Sequence, residues 1–273
     1  MLTLFTIPKP FHGHIGIIQR NAIHSWLLLG NGIRVVLFGS DEGTAETARE
    51  LGAVHEPQVA CNEYGTPLLN DLFERARQCA STSHVCYVNA DIILMNDFAQ
   101  AVWRVQREKR RFLIVGQRTD LDQSEALDFG AGWEDRLRAD TGSRGVLHRP
   151  TGIDYFVYHR DLWGRIPPFA IGRFSWDNWL IHRARQLRVS VIDATRCITA
   201  VHQNHDYSHA RGGAKGARSG PEARENFRLA GGRPLSLTIW DSTHVLTPDG
   251  LERRHFDAAL GGGIWSYRRA VRA

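Results

Sequence analysis

The opening fifty or so residues switch hydrophobic period repeatedly, and this alternation restricts the chain to few architectures. Leu2-Thr3-Leu4-Phe5-Thr6-Ile7 reads as a strand, and Pro8-Lys9-Pro10 stops it because proline cannot continue a ladder. His12-Gly13-His14 follow as a loop that suits a nucleotide-facing turn or plain surface better than a metal site. Ile15 to Leu29 sets Ile15, Ile18, Ala22, Trp26 and Leu29 at helical spacing and ends at Gly30-Asn31-Gly32, a C-cap signal. Ile33 to Phe38 is a second strand, Thr44 to Leu51 a short helix closed by Gly52, and Ala53-Val54-His55 a third strand. Strand, helix, strand, helix, strand predicts right-handed crossovers and a mostly parallel α/β sheet. In such sheets ligands bind where the strands end.

That rule gives weight to Cys86-Tyr87-Val88-Asn89-Ala90-Asp91-Ile92-Ile93-Leu94, an apolar run broken once. A helix from Pro67 to about Ala80, with Leu68, Leu69, Leu72, Phe73 and Ala76 on its apolar face, precedes it. His84 to Leu94 reads as one buried strand, and a buried strand does not hold a bare carboxylate without compensation. Asp91 therefore needs a divalent cation, a hydrogen-bonding cluster or a place at the strand's end; the other reading is a short turn with Asp91 capping the backbone, or an unrelated polar kink. Asp97 to Arg107 reads as a helix and Phe112 to Gly116 as a strand.

Beyond this the alternation weakens. Arg118 to Arg149 is polar, with a helix around Trp133 to Ala139. Gly152 to Tyr158 and Val189 to Asp193 read as strands, Cys197 to Val201 as a further candidate, and Trp176 to Leu187 as a helix. His209 to Gly220 has no apolar residue larger than alanine and reads as a mobile loop. Glu222 to Leu229 reads as a helix, and Leu235 to Trp240 and Thr243 to Leu246 as candidate strands.

Composition narrows the class. The 273 residues fit one large α/β domain or two small ones, and a formal charge of +5 is too mild to imply nucleic acid but suits anionic substrates. Cys61, Cys79, Cys86 and Cys197 form no CxxC pair, so reduced thiols and a cytoplasmic location are expected. No apolar run is long enough for a membrane span and no signal peptide is visible. The sequence holds no GxxxxGK[ST], no GxGxxG after the first strand and no GxSxG, which argues against P-loop, dinucleotide and α/β-hydrolase chemistry.

Five polar clusters lie where loops leave strands. Asp41 follows the second strand, placed to accept a hydrogen bond from a ribose or base, or to cap the Thr44 helix. Asn89-Ala90-Asp91 is the second cluster. Asp154, in Thr151-Gly152-Ile153-Asp154-Tyr155, again interrupts an apolar strand, facing a hydroxylated substrate or satisfying backbone groups. Asp177 and Asn178 lie between Trp176 and Trp179, where apolar rings raise a carboxylate's pKa toward that of a general base, although an N-cap fits the spacing too. His202, His205 and His209 crowd eight positions, and His202 with His205, or His205 with His209, has the donor chemistry to join Asp91 around a metal.

In this order the clusters resemble the GT-A-type nucleotide-diphospho-sugar glycosyltransferases, of the family 2-like, inverting kind. Asn89-Ala90-Asp91 resembles their Asp-x-Asp motif with Asn at the first position, Trp176-Asp177-Asn178 their later acidic motif, and His202 or His205 the C-terminal histidine of some members. The resemblance covers roughly the first two hundred residues. It implies a GT-A-like catalytic domain over 1–208, with a nucleotide-binding half to about 116 and an acceptor half after it. Residues 209–273 would then form a mobile loop and a small C-terminal extension on the same domain. It implies a nucleotide site at Thr6, Pro8, Asp41, Thr66, Asn70, Asn89, Ala90 and Asp91. Donor sugar or acceptor would meet Thr151, Gly152, Asp154, Tyr155, Trp176 and Asn178. Mn2+ or Mg2+ would sit on Asp91, His202 and His205, with Asp177 as base. The implied partners are a nucleotide-sugar donor and a glycan, lipid-linked or other hydroxyl acceptor, with no nucleic acid and at most peripheral membrane contact. Polysaccharide biosynthesis follows by the same analogy. A metal-dependent hydrolase or phosphoesterase built on the histidines, and a non-catalytic carbohydrate-binding protein, are the rival readings.

Overall fold

The computed structural model describes residues 1–205, 213–232 and 237–254. The alternation expected at the N-terminus forms β1 (Leu2–Thr6), α1 (Gly13–Leu27), β2 (Ile33–Phe38), α2 (Thr44–Leu51) and β3 (Val54–Glu56). The chain continues through α3 (Leu69–Cys79), β4 (His84–Val88), β5 (Ile92–Leu94), α4 (Asn96–Glu108), β6 (Phe112–Val115), β7 (Arg118–Leu121), α5 (Trp133–Arg144) and β8 (Val146–Leu147). It then forms β9 (Tyr155–His159), α6 (Trp176–Gln186), β10 (Ser190–Asp193), β11 (Ala200–Gln203), α7 (Gly213–Ser219), α8 (Pro221–Leu229), β12 (His244–Thr247) and β13 (Gly250–Arg253).

Nine strands make the main sheet, in the order β13-β12-β10-β6-β9-β4-β1-β2-β3. Five of its pairings are parallel; β9 runs antiparallel between β4 and β6, and β13 antiparallel on β12. Helices cover both faces, so the inner strands are apolar on both sides. One core layer gathers Phe5, Phe73, Tyr87, Phe156, Tyr158 and Trp176. The other gathers Leu4, Trp26, Val88, Phe98, Tyr155 and Val157. Successive residues of β4 and β9 alternate between the two layers, as the pleat requires.

A second sheet, β5-β11-β7-β8, is built from the segments that follow β4, β10 and β6. It corrects the expectation of one strand from His84 to Leu94. The break at Asn89-Ala90-Asp91 is a turn that carries the chain from one sheet to the other, with Ile92 N bonded to Asn89 O at 3.1 Å. A continuous strand would have buried Asp91 among apolar neighbours; the turn puts it at a sheet edge. Trp26 Nε1 donates to Ile92 O (2.8 Å), Ser25 Oγ accepts from Leu94 N, and Gln203 Nε2 donates to Asp91 O, so three side chains pin the crossing.

Other differences are local. α5 extends well past Ala139, and a helix, α7, occupies part of the stretch read as a mobile loop, with Ala217 buried despite two glycines among its seven residues. His209 lies outside the described residues. The candidate strand at 235–240 is instead a single 3-10 turn at Ile239–Asp241 where it is described. Among the described residues no helix is long and apolar enough to cross a membrane. Replacing Trp26 by Phe leaves the Ile92 carbonyl without its donor in a dry site. Urea titration is expected to show a loss of roughly 1–3 kcal/mol, the cost of an unsatisfied buried acceptor.

Candidate functional site

A cavity of about 600 Å3 opens at the carboxyl ends of β1 and β4. Its wall includes Lys9, Asn89, Asp91, Arg118, His148, Thr151, Gly152, Asp154, Arg173, Trp176, Asp177, His202, His205 and Arg218. Strand direction explains the grouping. Because β9 is antiparallel to β4, Tyr155 at its start pairs with Val88 at the end of β4. The residues just outside that pair, Asp154 and Asn89, therefore face each other, and Asn89 N donates to Asp154 O at 2.9 Å.

Both polar ends of the Asn89 side chain have a partner. Its Nδ2 donates to Asp154 Oδ1 (2.7 Å), and its Oδ1 accepts from Tyr87 Oη (3.0 Å). An aspartate there would set a second carboxylate against Asp154, so the neutral amide is what the neighbouring acid requires. Arg118 Nη1 supplies the counter-charge to Asp154 Oδ1 at 2.9 Å. Asp154 Oδ2 remains buried with no hydrogen-bond partner, on a residue only 5% exposed. An orphaned acceptor on a cavity wall is suited to a ligand hydroxyl.

On another side of the cavity, Asp91, His202 and His205 bring one ligand atom each to within 4.8 Å of one another. His205 Nε2 lies 2.9 Å from Asp91 Oδ2, and His202 Nε2 3.8 Å from the same oxygen. Burial would raise the Asp91 pKa, but the hydrogen bond from His205 and the charges of His202 and Lys9 hold it well below the usual carboxylate range. Asp91 Oδ1 is buried without a partner. A mixed imidazole and carboxylate set with an orphaned oxygen fits a divalent ion.

Asp177 enters from α6. The residue before Trp176 is Ser175, with φ +94°, a left-handed conformation that a non-glycine residue adopts only at a cost. Ser175 holds the N-cap position without a capping bond from its side chain, so Asp177 is not the cap; its Oδ1 accepts from Asn178 N at 2.9 Å. Asp177 keeps a face on the cavity, yet its carboxyl is densely surrounded. That burial, aided by the charge of Asp154, pushes its pKa up to about 7. Trp176 is wedged edge-on against Tyr87, with ring centroids 5.4 Å apart.

The structure thus brings Asn89, Ala90, Asp91, Thr151, Gly152, Asp154, Trp176, Asp177, His202 and His205 to one cavity. Other expected residues fall elsewhere. Tyr155 belongs to the opposite core layer, with Gly116 leaving room for its hydroxyl, because it alternates with Phe156 across the sheet. Asn178 is buried and donates to Leu237 O at 2.6 Å, tying down the chain after α8. Asn70 borders a separate cavity beside Arg77 and Trp163. Thr6 and Pro8 are buried behind the wall, while Ile7 and Lys9 line it, again by alternation. Thr66 stands behind Arg173, accepting from its Nη2 at 3.3 Å. Asp41 is exposed, outside the cavity wall, and its carboxylate does not cap α2, whose N-cap is Gly43.

Sequence reading passed over Arg118, Asp120 and His148. Asp120 Oδ2 accepts from His148 Nδ1 (2.6 Å), and Oδ1 from Arg118 Nε (2.8 Å). The available signal was the period-two pair Arg118 and Asp120, in a strand too short and too polar to stand out.

Two stability measurements follow. Between its ordinary value of 3.8 and about 7, folded Asp177 keeps a proton that the unfolded chain has lost, so stability falls as pH rises through that window. Asp177→Asn is expected to be more stable than the parent at pH 8, by roughly 2–4 kcal/mol, with the gain vanishing near pH 4. Asn89→Asp is expected to lose about 1–3 kcal/mol at pH 7 in urea titration, because it places a carboxylate against Asp154 in place of a donor.

No family model matches the sequence, and no curated protein matches it at a significant level. Solved structures do. Glucosyl-3-phosphoglycerate synthase from Mycobacterium tuberculosis, in complex with Mn2+, uridine diphosphate and phosphoglyceric acid, is 16% identical with a TM-score of 0.50. The match covers 84% of this chain and 76% of that one. S. aureus TarS 1–349 in complex with UDP-GlcNAc is 12% identical over 75% of this chain and 60% of that one, with a TM-score of 0.49. At such identities the likeness speaks to architecture. With its mixed sheet, its antiparallel β9 and helices on both faces, the chain has a GT-A-like glycosyltransferase fold.

Proposed function

We propose that this protein is a glycosyltransferase that moves a sugar from a nucleoside-diphosphate donor to an acceptor hydroxyl, with inversion at the anomeric carbon. The observation that carries the reading is one cavity holding both an Asp91–His202–His205 group and a separate carboxyl, Asp177, poised near neutrality. A transferase of this kind needs those two ends together: one for the leaving diphosphate and one for the incoming hydroxyl.

Asp91, His202 and His205 would hold Mn2+ or Mg2+. Such an ion, when bound, supplies Lewis-acid neutralisation of charge on the diphosphate. The chain's own residues do the rest. Lys9, Arg173 and Arg218 line the same cavity and favour an anionic leaving group. The free oxygen of Asp154 takes a sugar hydroxyl. Thr151, Gly152 and Trp176 frame the donor sugar or acceptor, and half-exposed Phe174 adds an apolar face at the mouth. Asp177 removes the proton from the acceptor hydroxyl as that oxygen bonds to the anomeric carbon. The bond to the diphosphate breaks on the opposite side, and the electron pair leaves with the phosphate. Asp41, exposed and outside the cavity wall, has a carboxylate suited to a ribose or base edge.

Thermal-shift measurements against UDP-, GDP-, TDP- and CMP-sugars, with and without Mn2+, test the donor; UDP-sugars come first because the Mycobacterium tuberculosis structure holds UDP. One nucleotide is expected to stabilise the protein, and more so with Mn2+. Donor consumed at the same rate without any acceptor would point instead to a hydrolase. With the cognate pair, kcat/KM is expected to climb with pH to a plateau above about 7, as Asp177 loses its proton. Asp177→Asn is expected to lower kcat by about 100-fold or more, the usual contribution of a general base. Near-normal transfer by that variant would remove Asp177 from the role.

A further inference from the structure

His202 stands between two carboxylates. β11 pairs with β7 in parallel, and the register sets His202 opposite Asp120. Nδ1 lies 3.0 Å from Asp120 Oδ1, while Nε2, across the ring, lies 3.8 Å from Asp91 Oδ2. Asp120 is outside the group of three that could share an ion. The His202 side chain is only 10% exposed, so its ring has little solvent to turn toward.

Asp120 is itself held from two further directions. Arg118 Nε donates to Oδ1 at 2.8 Å and His148 Nδ1 to Oδ2 at 2.6 Å. The contact with His202 Nδ1 is at ion-pair distance, and its N–H direction is not aligned as a full hydrogen bond. The backbone register, however, fixes the two side chains as neighbours.

An imidazole binds a metal through a nitrogen lone pair. Nε2 of His202 offers one toward Asp91 when the ring's proton rests on Nδ1, and an anion beside Nδ1 keeps it there. We propose that Asp120 is the positioning residue of the metal site: it fixes the His202 ring and tautomer so that Nε2 faces the ion shared with Asp91 and His205. This rests on the metal assignment made under the proposed function. It adds a residue that does not touch the ion, the diphosphate or the sugar.

The test is direct binding of Mn2+ to the full chain, followed by loss of the free-ion EPR signal. Wild type is expected to bind saturably and Asp91→Ala not at all. Asp120→Asn is expected to raise the Kd by about 10–100-fold, the usual effect of removing a carboxylate behind a ligating histidine. Asp122→Asn is the charge control. Its carboxylate lies nearby, bonded to Asn204 at 2.7 Å, and removing it should change the Kd far less. At saturating Mn2+, pulsed EPR should detect two histidine nitrogens in wild type and one in Asp120→Asn. An Asp120→Asn protein that binds as tightly as wild type, or is weakened only as much as Asp122→Asn, overturns the proposal. So does a ring-15N spectrum of Mg2+-loaded wild type in which His202 is protonated on Nε2, a measurement that needs no variant. Failure of wild type to take up Mn2+ would instead defeat the metal assignment itself, and this proposal with it.

Discussion

The contact on which the site depends is the meeting of Asn89 with Asp154 across the ends of two antiparallel strands. A carboxylate that is 5% exposed is expensive, and this one is tolerated because an amide and a guanidinium converge on the same oxygen. Arg118, once committed to Asp154, is also fixed toward Asp120, and Asp120 in turn toward His148 and His202. A chain of charge-assisted contacts thus runs from the end of β4 to the second sheet. Each member lowers the cost of burying the next.

This explains which parts of the molecule could be read from sequence. The first three strands and two helices were legible because their periods change cleanly, Gly52 caps α2 and Gly30 follows shortly after α1. Asp91, Asp154 and Asp177 were legible because each interrupts or flanks apolar residues, where a charge needs a reason. The crossing at 89–91 was not, since an apolar run before and after a turn looks the same whether it stays in one sheet or changes to another. Tyr155 and Asn178 lie off the cavity for a different reason: a neighbour of a site residue in sequence points the opposite way on a strand, or around a helix. Asp120 and His148 were hidden in a polar stretch whose strands are four and two residues long.

Asp177 shows why such a site does not drift toward maximum stability. Its packing holds a proton that the unfolded chain would release, so the fold is penalised at the pH where the carboxylate ionises. The left-handed Ser175 immediately before Trp176 adds backbone strain at the same turn. Both costs sit where α6 enters the cavity wall, and the broad apolar layers on either face of the sheet offset them.

The second sheet has a further consequence. Asp120 and His202 are neighbours only in the observed register of β7 with β11; sliding either strand by one residue would turn the two side chains to opposite faces. The small sheet therefore works as an alignment key: it cannot pair wrongly and still present these groups together. An ion held by His202 would bind only the correctly paired form and shift the population toward it, so that the strands and the ligand select one another.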